Sequence, residues 1–202
     1  MTEQNNSNID NQAGTPQVDP QASAARTSVA KTNDGADLVA EVRDFIATRK
    51  LLNLASLTPE GYPHASTAPF LAADGHFYLF ISDLSEHAAN LKANRKASVI
   101  FNADEADTKQ AFARLRVTFN VEAGLIGREA PLWQERIEQL REKFGPVMDH
   151  LKGLEDFHLF ELKPSAGRYV KGFGQAYALE GLEKQVALHL KDGHKEKNSD
   201  AA

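Results

Sequence analysis

Cysteine is absent from this sequence of 202 residues. The absence excludes disulfide bonds, thiolate nucleophiles and zinc sites built on sulfur, so histidine or carboxylate side chains must carry any metal chemistry. Apolar runs of the roughly 20 residues needed to span a bilayer are also missing. The opening residues, MTEQNNSNID, lack the basic start and apolar stretch of a secretion signal. We therefore expect a cytoplasmic protein with no membrane insertion.

An excess of positive charge is missing as well, since the net charge is -5. Proteins that bind nucleic acid usually carry a concentrated basic face, so the sequence predicts no nucleic-acid partner and favours a small ligand or another protein. Phosphate loops, nucleophile elbows and HExxH motifs are absent too.

The segment GFGQA (172–176) is a weak match to a dinucleotide-binding motif. It lacks the third glycine at the required spacing, and no predicted helix follows it. We interpret Gly172 and Gly174 as marks of a bulge or a close backbone approach in a strand.

Residues 1–36 contain no aromatic residue and only scattered aliphatic residues. Such a segment buries too little apolar surface to offset the entropy lost on ordering. We therefore predict a disordered N-terminal tail over 1–36, one domain over 37–180 and a C-terminal tail over 181–202.

Three short helices are predicted from capping residues and apolar spacing. Asp37 can cap the first helix and Ser85 the second, while Pro131 suits the first turn of the third, which Gly145 and the following proline end. The residues expected to face the core are Leu38, Val42, Phe45 and Ile46; Ala88, Ala89 and Leu91; and Trp133, Ile137, Leu140 and Phe144.

Strand patterns occupy most of the remaining domain. LLNLASL, HASTAPFLA and FYLFIS are separated by turn residues and predict a meander of two hairpins. Further strands are predicted in SVIFNA, in FARLRVTFNVEAGLIG, and in DFHLFELKPSAGRYVKGFGQAYAL with an interruption at the PSAG turn. This order lacks the strand–helix alternation of a parallel sheet and favours a closed or partly closed antiparallel barrel of six or seven strands.

Two histidines are candidates for function. His87 lies near a predicted helix start, where free N–H groups attract anions. His194 follows Gly193 near the chain end, where it could turn toward a ligand or a partner subunit, although a solvated tail explains the same composition.

Two arginines and one aspartate are further candidates. Arg114 and Arg116 fall on the polar face of one predicted strand, where they could bind phosphate or carboxylate or form a surface salt-bridge ladder. Asp156 could be a turn residue or the acceptor that orients a metal-bound imidazole. The residues alone leave these alternatives open.

Three segments carry a family resemblance: GYPHASTAPF, HFYLFISDLSEHAANLKANRKASVIF and FHLFELKPSAGRYVKGFGQAYAL. They resemble the FMN-binding split-barrel superfamily, which includes the pyridoxamine 5'-phosphate oxidases. Within it the chain is most similar to the haem-degrading proteins of the HutZ/HugZ type. The resemblance covers Asp37 to His194, and LKDGHK distinguishes this haem branch from its flavin relatives.

The resemblance implies a mainly β split barrel that binds and degrades haem b at the interface of a homodimer, with an unidentified electron donor. It implies that His194 is the axial ligand of the haem iron and that Asp156 of the opposite subunit accepts from the Nδ1–H of this imidazole. It also matches Arg116 to an arginine of the haem site and His87 to a pocket histidine, with Asp156 and Arg116 as the expected catalytic residues.

Two alternatives share the same barrel. One is an FMN-dependent oxidoreductase of the pyridoxamine phosphate oxidase type, with the phosphate held by arginine and the helix start at Ser85 to His87. The other is a haem carrier without catalysis.

Overall fold

The computed structural model describes residues 34–183 and 187–189. His194 and residues 1–33 of the predicted N-terminal tail lie outside the described residues. The three-part division of the chain therefore stays a prediction.

Nine strands and four α-helices make up the described chain. The helices are α1 (Asp34–Ala47), α2 (Glu86–Ala93), α3 (Pro131–Phe144) and α4 (Val147–Leu151), with a 3-10 helix at Ala111–Ala113. The strands are β1 (Leu51–Leu57), β2 (Pro63–Pro69), β3 (Leu71–Ala73), β4 (His76–Ser82), β5 (Lys96–Asn102), β6 (Arg116–Ile126), β7 (Phe157–Gly172), β8 (Gln175–Glu180) and β9 (Ala187–His189).

The strands form one antiparallel sheet in the order β2-β1-β5-β6-β7-β4-β3, with β8 on β7 and β9 on β8. The long β7 pairs with β4 through its first residues and with β8 through its last, so the sheet divides along it. No hydrogen-bonded pairing joins the terminal strands β2 and β3 within the described residues. The predicted mainly β antiparallel fold of the split-barrel type is confirmed, with nine strands in place of six or seven and a sheet that is not closed among the described residues.

The two predicted hairpins form, as β1–β2 and β3–β4, but the prediction that they make one continuous meander is wrong. The segment HASTAPFLA forms two strands, β2 and β3, which lie at opposite ends of the sheet order. Pro69 ends β2, and proline has no N–H to continue a ladder. Phe70 is fully buried between the two strands, so the chain turns into the barrel core at this point.

The predicted turn in PSAG is also wrong. β7 continues through Pro164 to Gly172, and the register with β6 shifts beside Pro164. A bulge accommodates a proline that a regular ladder would exclude. The chain instead reverses after Gly172, where Gly174 has a φ of 66° in the left-handed region.

The core has two parts because β4 is buried on both faces. Phe77 and Leu79 point into the barrel, where they pack with Phe101 and Phe119. Tyr78 and Phe80 point to the other side of the strand and pack beneath α3. This explains why FYLFIS is continuously apolar.

Of the three helix predictions, those for α1 and α2 need correction. α3 has the predicted bounds, with Ile137 and Leu140 buried. α1 begins at Asp34, three residues before the predicted cap. In α2, Ala88 and Leu91 are buried as predicted, but Ala89 is exposed.

Candidate functional site

The outer face of the sheet carries a groove of about 800 Å³ over β1, β2, β5 and β6. Strand alternation turns the large apolar residues inward and leaves small or neutral polar residues on this face. The small or neutral polar residues that line the groove are Asn53, Ala55, Ala65, Thr67, Ser98, Thr118 and Asn120, and Ile100 is a large apolar residue on the same face. A neighbouring cavity of about 640 Å³ shares Ala55, Ser98 and Asn120 with it, so the two are continuous. Volumes of this size are typical of sites for small ligands and cofactors.

Arg116 lies beyond one end of this groove, at the first residue of β6 and on the same strand face as Thr118. Its Nη1 donates to the carbonyl oxygen of Arg114 at 3.0 Å. Within the described residues no carboxylate lies within 4 Å of this guanidinium. The remaining N–H groups of Arg116 therefore suit an anionic group of a ligand.

Arg114 does not share the strand with Arg116, contrary to the prediction. It ends the 3-10 helix, where its Nε donates to the carbonyl oxygen of Ala103 at 2.8 Å and its Nη1 pairs with Glu105 at 3.2 Å. These contacts give Arg114 a structural role in the loop before β6.

His87 is buried on the first turn of α2. Its Nδ1 lies 3.1 Å from the hydroxyl oxygen of Ser66 on β2. Burial, and secondly the nearby His64, lower the pKa of His87 below its ordinary value. The ring is therefore held neutral, and it is linked to a strand that lines the groove.

His64 has no role predicted from the sequence, yet it is near enough to His87 to lower the pKa of that ring. Its Nε2 is 3.5 Å from a carboxylate oxygen of Glu86. Its Nδ1 is buried and has no hydrogen-bond partner in the described chain. Only the proximity of β2 and α2 reveals this relation.

Asp156 precedes β7 and is held by the loop between β4 and α2. The Ser82 hydroxyl donates to its Oδ2 at 2.6 Å, and the Asp83 N–H donates to its carbonyl oxygen at 2.9 Å. Asp83 in turn pairs with Lys92 and His158. Sequence reasoning missed Ser82, because it lies 74 residues from Asp156.

Asp156 and Arg116 are not brought together within one chain. Arg116 is the first residue of β6, whereas Ile126 at its other end pairs with Leu159, three residues after Asp156. Eleven extended residues measure about 35 Å along the strand. His87 lies near the Asp156 end, because α2 directly follows the loop that holds Asp156.

The sequence profile described as pyridoxamine 5'-phosphate oxidase matches residues 38–171. The chain belongs to this family. It is 41% identical over 155 residues to a family relative named heme oxygenase HutZ, from Vibrio cholerae, covering 77% of this chain and 88% of that protein.

Solved structures agree with this assignment to the pyridoxamine 5'-phosphate oxidase family. The crystal structure of Vibrio cholerae HutZ, called a heme storage protein, matches with a TM-score of 0.60 and 39% identity, covering 62% of this chain and 89% of that one. Campylobacter jejuni ChuZ matches with a TM-score of 0.72 and 27% identity, covering 83% of this chain and 68% of that one.

The groups expected to hold an FMN phosphate have contacts within the chain of this family member. The Ser85 hydroxyl donates to the carbonyl oxygen of Ser82 at 2.5 Å, and His87 is paired with Ser66. Arg116 is the first residue of β6. An FMN phosphate site that joins these groups stays a prediction.

The pairing of β9 with β8 shows toward which end of the sheet β9 runs. Ala187 pairs with Leu179, and His189 pairs with Tyr177. Because β8 begins at Gln175, β9 runs toward the hairpin that joins β7 and β8. Val170, beside this hairpin, pairs with Arg116, so β9 is directed toward the Arg116 end of the sheet.

No helix within 34–183 is long and apolar enough to cross a membrane. No three or more His, Asp or Glu side chains in the described ranges are grouped to hold a metal ion.

Proposed function

We propose that the protein binds haem b between two copies of the chain and degrades it oxidatively, with release of iron. The observation that carries this proposal is the position of Arg116, a cation without a carboxylate partner in the described chain, beyond one end of a large neutral groove. A flat apolar macrocycle with carboxylates at one edge matches such a surface. The similarity to a protein named heme oxygenase HutZ supports the choice of haem.

The homodimer is proposed on the outer face of β1, β2, β5 and β6. The centre of this face carries no charged side chain among the residues that line the larger groove, as is typical of the core of a protein interface. A two-fold axis that crosses β6 reverses that strand in the second copy. Arg116 of one copy then lies on the same side as the Asp156 end of the other.

The chain's own residues have distinct proposed roles. Arg116 binds a propionate of haem, and His194 is the axial ligand of its iron. Asp156 from the second copy accepts a hydrogen bond from Nδ1–H of His194, which holds the ring in one orientation and raises its basicity. His87 lines the pocket as a neutral imidazole. Haem supplies the oxygen chemistry, and an unidentified electron donor supplies the electrons.

The direction of β9 supports the role of His194. His194 is five residues beyond His189, and an extended chain covers about 3.3 to 3.6 Å per residue. A chain of that length lets the Cα atom of His194 reach at most about 18 Å from the end of β9, which is directed toward the Arg116 end.

Haemin titration of the purified full-length protein tests binding. We expect a Soret band typical of histidine ligation, saturation at one or two haem molecules per dimer, and a dimer by sedimentation. Adding a reductant in air should then bleach the Soret band and release iron that a ferrous chelator detects. A protein that binds no haemin would contradict the proposal.

The same experiment separates the two alternatives. A stable Soret band in the presence of reductant and air would indicate a carrier, which the description of HutZ as a heme storage protein favours. Flavin absorbance in the protein as purified would indicate the FMN-dependent oxidoreductase, which membership of the pyridoxamine 5'-phosphate oxidase family favours. The cytoplasmic location stays a prediction.

A further inference from the structure

Arg168 is an exposed arginine on the outer face of β7, beside the groove. It pairs with Thr118 of β6, which pairs with Ile100 of β5, which in turn pairs with Asn53 of β1. Residues directly opposite one another in neighbouring strands point to the same face of a sheet. Thr118, Ile100 and Asn53 all line the groove, so Arg168 continues the same row one strand further.

The contacts of β7 leave the guanidinium of Arg168 without an anionic partner. The next residue, Tyr169, is buried, and its hydroxyl donates to Glu41 of α1 at 2.8 Å. Because side chains alternate along a strand, α1 lies on the opposite face of β7 from Arg168. Among residues 34–183 and 187–189, no carboxylate lies within 4 Å of the Arg168 guanidinium.

Arg168 and Arg116 are diagonal neighbours on this face. Arg116 pairs with Val170, two residues from Arg168, and such diagonal positions lie about 7–8 Å apart. Two guanidinium groups without carboxylate partners in the described chain therefore lie at one corner of the groove. Like charges this close repel each other unless anions compensate them. The pair suits a ligand that carries its negative charge at one edge.

We infer that Arg168 binds the second propionate of haem while Arg116 binds the first, an inference that rests on the proposed function. The two propionates project from the same edge of the macrocycle, and the two arginines lie at the same corner of the groove. Each guanidinium can donate two parallel N–H bonds to one carboxylate. With both propionates held at this corner, the apolar part of the macrocycle is directed toward the neutral lining of the groove.

The test compares Arg168→Ala and Arg168→Lys with the wild type, using haemin and haemin dimethyl ester as separate probes in Soret titrations. The ester keeps the iron and the macrocycle but has no carboxylates. Loss of a charge-assisted bidentate contact should weaken haemin binding about tenfold in Arg168→Ala and leave binding of the ester unchanged. Arg168→Lys should show a smaller loss, because the charge remains while the bidentate geometry is lost.

Two further variants complete the comparison. Arg116→Ala should discriminate between the two probes as Arg168→Ala does. Arg141→Ala is the matched control, because this exposed arginine of α3 is paired with Asp149 at 2.9 Å and does not line the groove. It should bind both probes as the wild type does. Thermal unfolding without haem should give the same midpoint for Arg168→Ala and the wild type.

Three results would overturn the inference. Wild-type affinity of Arg168→Ala for haemin would show that the guanidinium binds no propionate, while leaving the proposed function intact. Equal weakening of haemin and its dimethyl ester would assign Arg168 to the folding of the site instead of to a carboxylate. Wild-type binding of FMN that is lost in Arg168→Ala, with haemin affinity unchanged, would assign the two arginines to a phosphate. Failure of the wild type to bind haemin would instead remove the proposed function itself.

Discussion

The hydroxyl of Ser82 donates a hydrogen bond of 2.6 Å to Oδ2 of Asp156. The oxygen of the same hydroxyl accepts from the backbone N–H of Leu84 at 3.0 Å, so the hydroxyl is oriented both as a donor and as an acceptor. The carboxylate is thereby held in one orientation at the junction of β4 and α2. A carboxylate that must accept from an imidazole of another subunit needs such an orientation, because hydrogen bonds weaken steeply with misalignment.

Asp156→Asn should retain haemin binding and lose turnover. The amide keeps the size of the side chain but removes the negative charge that raises the basicity of the iron ligand. We expect the rate of Soret decay under reductant to fall about 10- to 100-fold, while the haemin titration changes little. Asp149→Asn, which alters an exposed carboxylate of α4 paired with Arg141, is the control and should turn over normally. Undiminished turnover in Asp156→Asn would disprove its role.

Ser82→Ala should reduce turnover less than Asp156→Asn does. The charge of Asp156 remains, but one of the bonds that orient the carboxylate is lost. Soret decay of the two variants, measured side by side with haemin affinity as the second readout, checks this order. An equal or larger loss in Ser82→Ala, or a loss of haemin affinity, would mean that the hydroxyl does more than position Asp156.

His194→Ala should lose the spectral signature of histidine-ligated haem. The variant lacks the proposed axial ligand, so its Soret position and its haemin affinity should both change. Imidazole added to the variant should restore the ligated spectrum, as an exogenous ligand can occupy the open position. His150→Ala, at an exposed position of α4, provides the control. An unchanged spectrum in His194→Ala would exclude the residue as the ligand.

The free energy of unfolding of the protein should decrease as the pH is lowered, partly because of His87. Its pKa in the folded state lies below the ordinary value of 6.5, because burial, and secondly His64, disfavour the charged ring. The unfolded state thus binds more protons, and the stabilisation present above pH 6.5 is lost as the pH falls toward the folded pKa. Urea unfolding of wild type and His87→Gln from pH 8 to pH 5 should show a smaller decrease for the variant.

His64→Gln is the companion variant for that measurement. Removing the neighbouring ring leaves the burial of His87 in place, and burial is the larger cause of the lowered pKa. Most of the pH dependence that His87 contributes should remain. Identical pH profiles for wild type and His87→Gln would show that the ring is not held neutral in the folded protein.

Gly167→Ala should destabilise the barrel. A Cβ at Gly167 would lie 2.4 Å from the ring of Phe119 and 2.7 Å from the carbonyl oxygen of Thr118. Overpacking of this kind costs about 1–3 kcal/mol. Gly127→Ala is the matched control, since nothing lies within 4 Å of its Cβ position. Thermal unfolding should show a lower midpoint for Gly167→Ala only, and equal midpoints would contradict the close packing.

The sequence predicted the parts of the fold that depend on local periodicity. The apolar stripe of α3 and its ends at Pro131 and Gly145 follow from helix geometry and capping, and the alternation of Val117 and Phe119 follows from strand geometry. The prediction that Ala89 faces the core was wrong, because adjacent residues of a helix point to different faces.

The resemblance to a known family went further than periodicity could. It supplied the family, and it assigned roles to four candidates that the residues alone left open: Arg116, Asp156, His87 and His194. Of these, the structure describes three and brings Asp156 and His87 to the same region. No pattern along the chain indicated that Ser82 holds Asp156 or that Ser66 pairs with His87, because each contact joins distant segments.

The sequence by itself determined which segments are helices or strands and which family they form, because those properties depend on neighbours a few residues apart. Only the tertiary structure decided that β2 and β3 separate to opposite ends of the sheet order, that β7 continues past Pro164, and that Asp156 and Arg116 lie at opposite ends of β6. Strand partners and registers are set by packing between residues far apart in the chain, so local patterns cannot specify them.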